Sequence, residues 1–324
     1  MNKSALASFS TPVLDGLNAV EDLMHHQADG FHPDLIAALH HLLSSGGKRI
    51  RATLTLLSGR MLGAPEDFLL NLAGSIELLH TATLVHDDLI DGALLRRGIP
   101  TLNVKWSAGA TILTGDFLFA RSAKLAAETK SIPAMQLFAR TLSVIVNGEI
   151  NQLFSSRCLA SRADYEKRIY AKTASMFETA TASAALISNL PDAKVEDMRK
   201  FGYGLGMAFQ IIDDILDFTG QQSTLGKPVG GDLRQGLVTL PALYFLETYP
   251  NHPEASNLVQ GKCLEDEQVA NLVNAIRQSQ AIDQAYAEAR QYVDQSMSVL
   301  SAYPKSEYCD ALAELAEYIV ARNF

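Results

Sequence analysis

The stretch TATLVHDDLIDGALLRRG, residues 81–98, decides the reading of this chain. It begins as an apolar helical segment, then sets Asp87, Asp88 and Asp91 close together and follows them with Arg96 and Arg97. On a helix, residues i, i+1 and i+4 share roughly one face, so the Asp87 and Asp91 carboxylates can converge with Asp88 beside them. Carboxylates on an apolar face repel one another and are costly to desolvate. At a helix C-terminus they also oppose the macrodipole. A hard divalent cation resolves both conflicts, because Mg²⁺ takes oxygen ligands and is held by one or two carboxylates plus waters and substrate phosphates.

The pattern recurs far downstream in AFQIIDDILDFTG, residues 208–220, as Asp213, Asp214 and Asp217, again at the end of a strongly apolar segment. One such cluster reads as readily as a solvated helix end. Two copies on otherwise buried helices favour metal-bridged binding of a diphosphate. Cations accompany them: Lys48, Arg49 and Arg51 in SGGKRIR, Lys172 beside Thr173 in KTAS, and Lys227 in GKPVGGDLRQG. Lys and Arg suit phosphate, with Arg adding a bidentate fork. Singly, each reads as a surface charge; their weight lies in their order along the chain with the acids.

Composition bounds the rest. The 324 residues are 48% hydrophobic and 19% charged, as for a soluble globular protein with a sizeable core. A net charge of −9 argues against nucleic acid or an anionic membrane as partner, and would repel an anionic substrate unless metals or a local basic cluster reverse the field. Cys158, Cys263 and Cys309 lack metal-ligand spacing and read as reduced thiols of a cytoplasmic protein. The N-terminus has no apolar leader core, and no run matches an uncharged membrane span.

Helical periodicity dominates and strand signals are nearly absent. HPDLIAALHHLLSSGG, KRIRATLTLLSGRML and PEDFLLNLAGSIELLHTATLVHDDLID read as successive helices, the last opened by Pro65, with RRGIPT as a loop. Further helices are expected over about 107–129, 132–155, 162–189, 193–219 and 235–248, with a charged set from about 265 onward. The Gly-rich stretch 220–236 is the longest break. The expected architecture is a single all-α domain spanning 1–324. His25, His26, His40 and His41 read as solvated or half-buried helix residues, Trp106 as packing at a helix start, and LEDEQ as a solvated face.

With GGKRIRATL, LLHTATLVHDDLIDGALLRRGIPT, GDFLFARS, KTAS, FQIIDDILD and GKPVGGDLRQG in this order, the chain resembles the all-trans isoprenyl (polyprenyl) diphosphate synthases. The resemblance implies a large helical bundle around a deep central cavity, a homodimer, and head-to-tail condensation of isopentenyl diphosphate with an allylic diphosphate. It implies three Mg²⁺ per active site, with Asp87, Asp91 and Asp213 as ligands and Asp88, Asp214 and Asp217 in support. Arg96, Lys172, Thr173, Gln210 and Lys227 would contact the allylic diphosphate. Lys48, Arg51, His80 and Arg97 would bind isopentenyl diphosphate, with Gly47 and Arg49 completing the first motif. Ala82 and Thr83, just before the first cluster, are small where short-chain members carry an aromatic block, so a product beyond geranylgeranyl is expected; if they are small only because another helix packs closely there, a farnesyl or geranylgeranyl product is the alternative. Leu78, Leu79 and Ser75 lie deeper as a lower stop.

Three rivals fit less well. A class I terpene cyclase carries one such cluster and needs no isopentenyl site. An HD-type phosphohydrolase would use His80, His86 and Asp87 but leaves the second cluster unexplained. A non-catalytic partner subunit would have lost acids that this chain keeps.

Overall fold

The computed structural model describes residues 8–322 except 45, 97, 155–157, 159 and 221–228. Arg97 and Lys227 therefore lie outside the described residues, as do residues 221–228 of the break at 220–236. In chain order the helices are α1 (Leu14–His25), α2 (Pro33–Ser44), α3 (Ile50–Leu62), α4 (Glu66–Ile90), α5 (Leu102–Lys105), α6 (Ala108–Glu128), α7 (Ile132–Phe154), α8 (Arg162–Ile169) and α9 (Ser175–Ile187). They continue as α10 (Asp192–Thr219), α11 (Gly231–Arg234), α12 (Leu240–Thr248), α13 (Pro253–Val259), α14 (Asp266–Gln278), α15 (Ala281–Leu300) and α16 (Glu307–Ala321). A π-helical segment, Tyr170–Ala174, joins α8 to α9.

These elements gather into two compact units. The first takes in Met1–Arg140, Thr179–Arg199 and Pro304–Glu314; the second takes in Thr141–Glu178, Lys200–Tyr303 and Leu315–Phe324. In the first unit α4 is the central helix, packed on α1, α3 and α6. Pro65 sits at its N-cap with extended backbone, and Glu66 and Asp67 occupy its first turn, where acids favour the helix dipole. By length and hydropathy α4 alone among the described helices would suit a membrane span, but 72% of that stretch is buried, as in a core helix. It lies close against α6 because Gly115 has no side chain; a Cβ there would stand 2.3 Å from His86 Nε2. Two turns further along α6 the two helices are tied by paired hydroxyls: Ser75 Oγ donates to the Ser122 carbonyl (2.8 Å) and Ser122 Oγ to that of Ser75 (2.6 Å). Gly115 and Ser122 are the first and last residues of GDFLFARS, so that motif is the packing seam of α6 on α4.

RRGIPT is not a plain loop. Leu95–Arg96 and Ile99–Pro100 pair as a two-stranded antiparallel ribbon, Arg96 opposite Ile99, turned through Gly98 at φ 78°. A left-handed backbone there suits glycine. His41 Nε2 donates to the Pro100 carbonyl at 2.7 Å, so α2 braces this ribbon.

In the second unit α12 packs on α15, and α14 bridges to both. Gly206 lets α10 run against the π-segment, since a Cβ there would lie 2.5 Å from Ala174 Cα. The cysteines differ from the reduced thiols expected from sequence: Cys158 and Cys263, 105 residues apart, form a disulfide, and only Cys309 is free. Thiols scattered along the chain offer no spacing from which to infer the pair; only the fold brings Cys158 to Cys263. The 235–248 helix begins later than its pattern suggests, at Leu240, because the turn ending at Gly236 (φ 78°) precedes it.

Candidate active site

The first acidic cluster closes α4. Asp87 and Asp88 lie in its last turn and Asp91 is the C-cap, its N–H donating to the Asp87 carbonyl at 2.8 Å. The three carboxylates are not equivalent. Asp88 points inward and is buried, whereas Asp87 is half-buried and Asp91 exposed. Arg96, carried back by the ribbon, clamps Asp88: Nε donates to both oxygens at 2.9 Å and Nη2 to Oδ1 at 2.7 Å. Burial alone would lower the Arg96 pKa, but the hydrogen bonds and charge of Asp88, with Asp87 and Asp91 behind it, raise it. Three acids thus create a negative field that a cation relieves. A small pocket against this pair is lined by His41, Val85, Asp88, Arg96 and Ile99.

The basic motif 46–51 is organised by Arg49. It adopts left-handed backbone (φ 46°, ψ 37°) at the N-cap of α3 and reaches inward. Its Nε and Nη2 donate to Glu21 at 2.9 and 3.0 Å, and Nη1 lies 3.5 Å from the buried Glu77 of α4. Glu77 also accepts from the Ala52 N–H at 2.9 Å. Arg49 is therefore a strut among α1, α3 and α4, flanked by Lys48, which is exposed, and Arg51, which is half-buried like His80. Below the acids, Ala82, Thr83, Leu78, Leu79 and Ser75 are all buried along α4, and Ser75 is engaged by Ser122.

The second cluster closes α10. Asp213 is half-buried, and its Oδ1 lies 3.0 Å from Arg322 Nη1 on the C-terminal segment. Asp217 accepts from the N–H groups of Gly231 (3.0 Å) and Asp232 (3.2 Å), so it holds the start of α11. Asp214 is buried and accepts from Tyr165 Oη at 2.8 Å and Gln210 Nε2 at 2.9 Å. Gln210 Oε1 in turn accepts from Thr173 Oγ1 at 2.7 Å. Burial, then the charge of Asp232, pushes the Asp214 pKa up against the hydrogen bonds from Gln210 and Tyr165. Burial, then the charge of Asp217, pushes Asp232 up likewise, while Lys172 and Arg168 oppose. Lys172 and Thr173 sit in the π-segment, an irregularity frequent at functional sites.

Among the described residues no three acid, His or Cys side chains form a closed metal cage. The donor set is nonetheless suited to Mg²⁺, which is bound by one or two carboxylates and completed by water and substrate phosphate. The Arg96 pKa, raised against its burial by Asp88, Asp87 and Asp91, marks the negative charge gathered at the first cluster.

Sequence reasoning missed Tyr165, Asp232, Arg322 and the Glu21–Arg49–Glu77 strut. Asp232 was visible in GGDLRQG; the others lie far in sequence from the acids they hold, and no local pattern points to them.

The polyprenyl synthetase family model matches residues 32–276. The chain is 38% identical over 325 residues to heptaprenyl diphosphate synthase component 2 of Geobacillus stearothermophilus, covering 100% of both. Among solved structures it is similar to the polyprenyl synthase of Caulobacter crescentus complexed with calcium and isoprenyl diphosphate (TM-score 0.89, 34% identity, 98% of each chain). A decaprenyl diphosphate synthase from Rhodobacter capsulatus matches nearly as well (TM-score 0.88, 30% identity, 98% of each chain).

Proposed function

Because the chain belongs to the polyprenyl synthetase family, we infer that it condenses isopentenyl diphosphate with an allylic diphosphate, head to tail, to build an all-trans polyprenyl diphosphate longer than geranylgeranyl. It is a prenyl-transferring enzyme. The observation that carries the reading is the repeated acidic pattern, Asp87–Asp88–Asp91 and Asp213–Asp214–Asp217, ending two helices whose preceding turns are largely apolar.

Breaking the allylic C–O bond leaves a carbocation and a diphosphate anion. Asp87 and Asp91, and separately Asp213, would hold the three Mg²⁺. When bound, these ions neutralise charge developing on the leaving diphosphate. Arg96, Lys172 and Lys227 would bind that diphosphate, their preorganised charge acting where water is excluded. Lys48, Arg51, His80 and Arg97 would hold isopentenyl diphosphate. Thr173 and Gln210 would direct lone pairs at the carbocation. After the double bond attacks, the released diphosphate is the base that takes the proton. Ala82 and Thr83 would put no aromatic block in the path of the growing tail, and each helical turn, about 5.4 Å, corresponds to roughly one isoprenoid unit.

An exposed apolar stripe on α7, Val146, Ile150, Leu153 and Phe154, supports self-association as a homodimer. The name of the Geobacillus relative, component 2, favours a second reading in which the chain works beside a distinct first component. Purified chain, Mg²⁺, labelled isopentenyl diphosphate and an allylic primer test the reaction, the length and the assembly. A product longer than geranylgeranyl supports the reading, one stopping at geranylgeranyl or shorter refutes the length, and incorporation only on adding a second component favours the two-component reading. No incorporation under either condition refutes the reaction itself.

A further inference from the structure

Resting on that reading of the site, we propose that Tyr165 and Asp214 are positioning residues that fix which end of the Gln210 side-chain amide is presented beside Thr173. The two ends of an amide have nearly the same shape, so only the hydrogen-bond partners decide which way it points. Asp214 is the arbiter. Its Oδ1 accepts from the Gln210 amide nitrogen at 2.9 Å, so this oxygen takes the Nε2 end. Its Oδ2 is taken by the Tyr165 hydroxyl at 2.8 Å, which holds the carboxylate from the far side. Both Tyr165 and Asp214 are buried, so water does not compete for these bonds.

The consequence passes to the substrate side. With Nε2 committed to Asp214, the Gln210 carbonyl oxygen faces Thr173 and accepts its hydroxyl proton at 2.7 Å. Thr173 then spends its one proton on Gln210 and turns its own lone pairs outward. Oxygen lone pairs suit an electron-poor allylic cation. Reversed, the amide would set N–H dipoles, positive end outward, at the same place. Asp214 on this account acts through Gln210, and Tyr165 acts through Asp214.

The test is a kinetic double-mutant cycle on the full-length enzyme with Mg²⁺. Tyr165→Phe is expected to lower kcat for condensation about tenfold, less than the roughly 10²–10³ lost with a directly acting donor. The KM values of both diphosphates should move less than about twofold, because the effect falls on the transition state. In a Gln210→Leu background the same Tyr165→Phe change should leave kcat where Gln210→Leu put it, while still lowering the unfolding temperature. Equal fold-losses in both backgrounds, or a raised KM with unchanged kcat, overturn the proposal. Should Tyr165→Phe not fold, Asp214→Asn carries the same cycle: its amide can offer either end to Gln210, so kcat falls only where Gln210 is present. Wild-type enzyme that makes no prenyl product overturns the functional reading and this inference with it; active wild type with additive losses overturns only the inference.

Discussion

Reducing the Cys158–Cys263 disulfide should lower the thermal midpoint of the protein by roughly 10 °C. The bond closes a loop of 105 residues, both ends within one compact unit. In the chain-entropy treatment, cross-linking a loop of about 100 residues removes about 4.7 kcal/mol of denatured-state freedom. Removal of a native bridge typically costs about 2–5 kcal/mol, so this lies at the upper end of that range. In a chain of this size each kcal/mol moves the midpoint by about 2 °C. The assay is thermal unfolding with and without reductant, paired with thiol counting under denaturing conditions. Oxidised protein should titrate one thiol, Cys309, and reduced protein three. Cys263→Ser is the cleaner variant than Cys158→Ser, because Cys263 is exposed and a serine there meets water, whereas Cys158 is buried. Cys263→Ser without reductant should match reduced wild type, and Cys309→Ser should change nothing. Three titratable thiols in protein purified without reductant and exposed to oxidant would refute the reasoning at its root.

Arg49→Leu should cost about 3–5 kcal/mol, because it leaves Glu77 charged and buried without its cation. Adding Glu77→Gln should recover part of the loss, and unfolding curves that show no recovery would mean that Arg49 acts by another route. Ala82→Phe should shorten the product while condensation persists; chromatography showing an unchanged chain length would remove Ala82 from the tail path. Because Ala82 is fully buried, the same change should cost about 1–3 kcal/mol through overpacking. Asp15, held by the Arg60 hydrogen bond, has its pKa lowered to about 2. Its folded-state value lies below the unfolded one, roughly 3.9, so its contribution is complete above that pH and is lost as pH falls through about 2. The stability gap between wild type and Asp15→Asn should therefore close as pH is taken from neutral down through that window.

Much of this protein was legible in sequence because helices announce themselves locally. The Pro65 opening of α4, the Gly pair after α2 and the apolar run into each acidic cluster are contained within a few turns, and the helices lie close to their expected bounds. The 162–189 run was continuous helix in pattern, but the π-segment at Tyr170–Ala174 packs against Gly206, a tertiary neighbour that no local window of sequence contains. The ribbon at 95–100 was missed because two residues per strand are too few for alternation to show. The disulfide and the Arg322–Asp213 pair join positions more than a hundred residues apart, where only the fold decides who meets.

The acidic motif itself acquires a division of labour that its spelling hides. The sequence pattern puts all three acids of a DDxxD cluster on roughly one face, but successive residues on a helix are rotated by about 100°, and the structure turns the middle aspartate away from its neighbours. In both clusters that middle residue turns inward, is buried and is spent on the protein: Asp88 on the Arg96 fork, Asp214 on Tyr165 and Gln210. In the second cluster Asp217 is also engaged, by the backbone of Gly231 and Asp232. The acids left toward the outer side by this geometry are Asp87, Asp91 and Asp213, the set expected to carry metal. Asp213 is balanced by a guanidinium that a divalent ion would have to displace or share. A cluster built this way gains from its buried member a fixed scaffold for Arg96 or Gln210, and from its outer members a site whose repulsion a cation relieves.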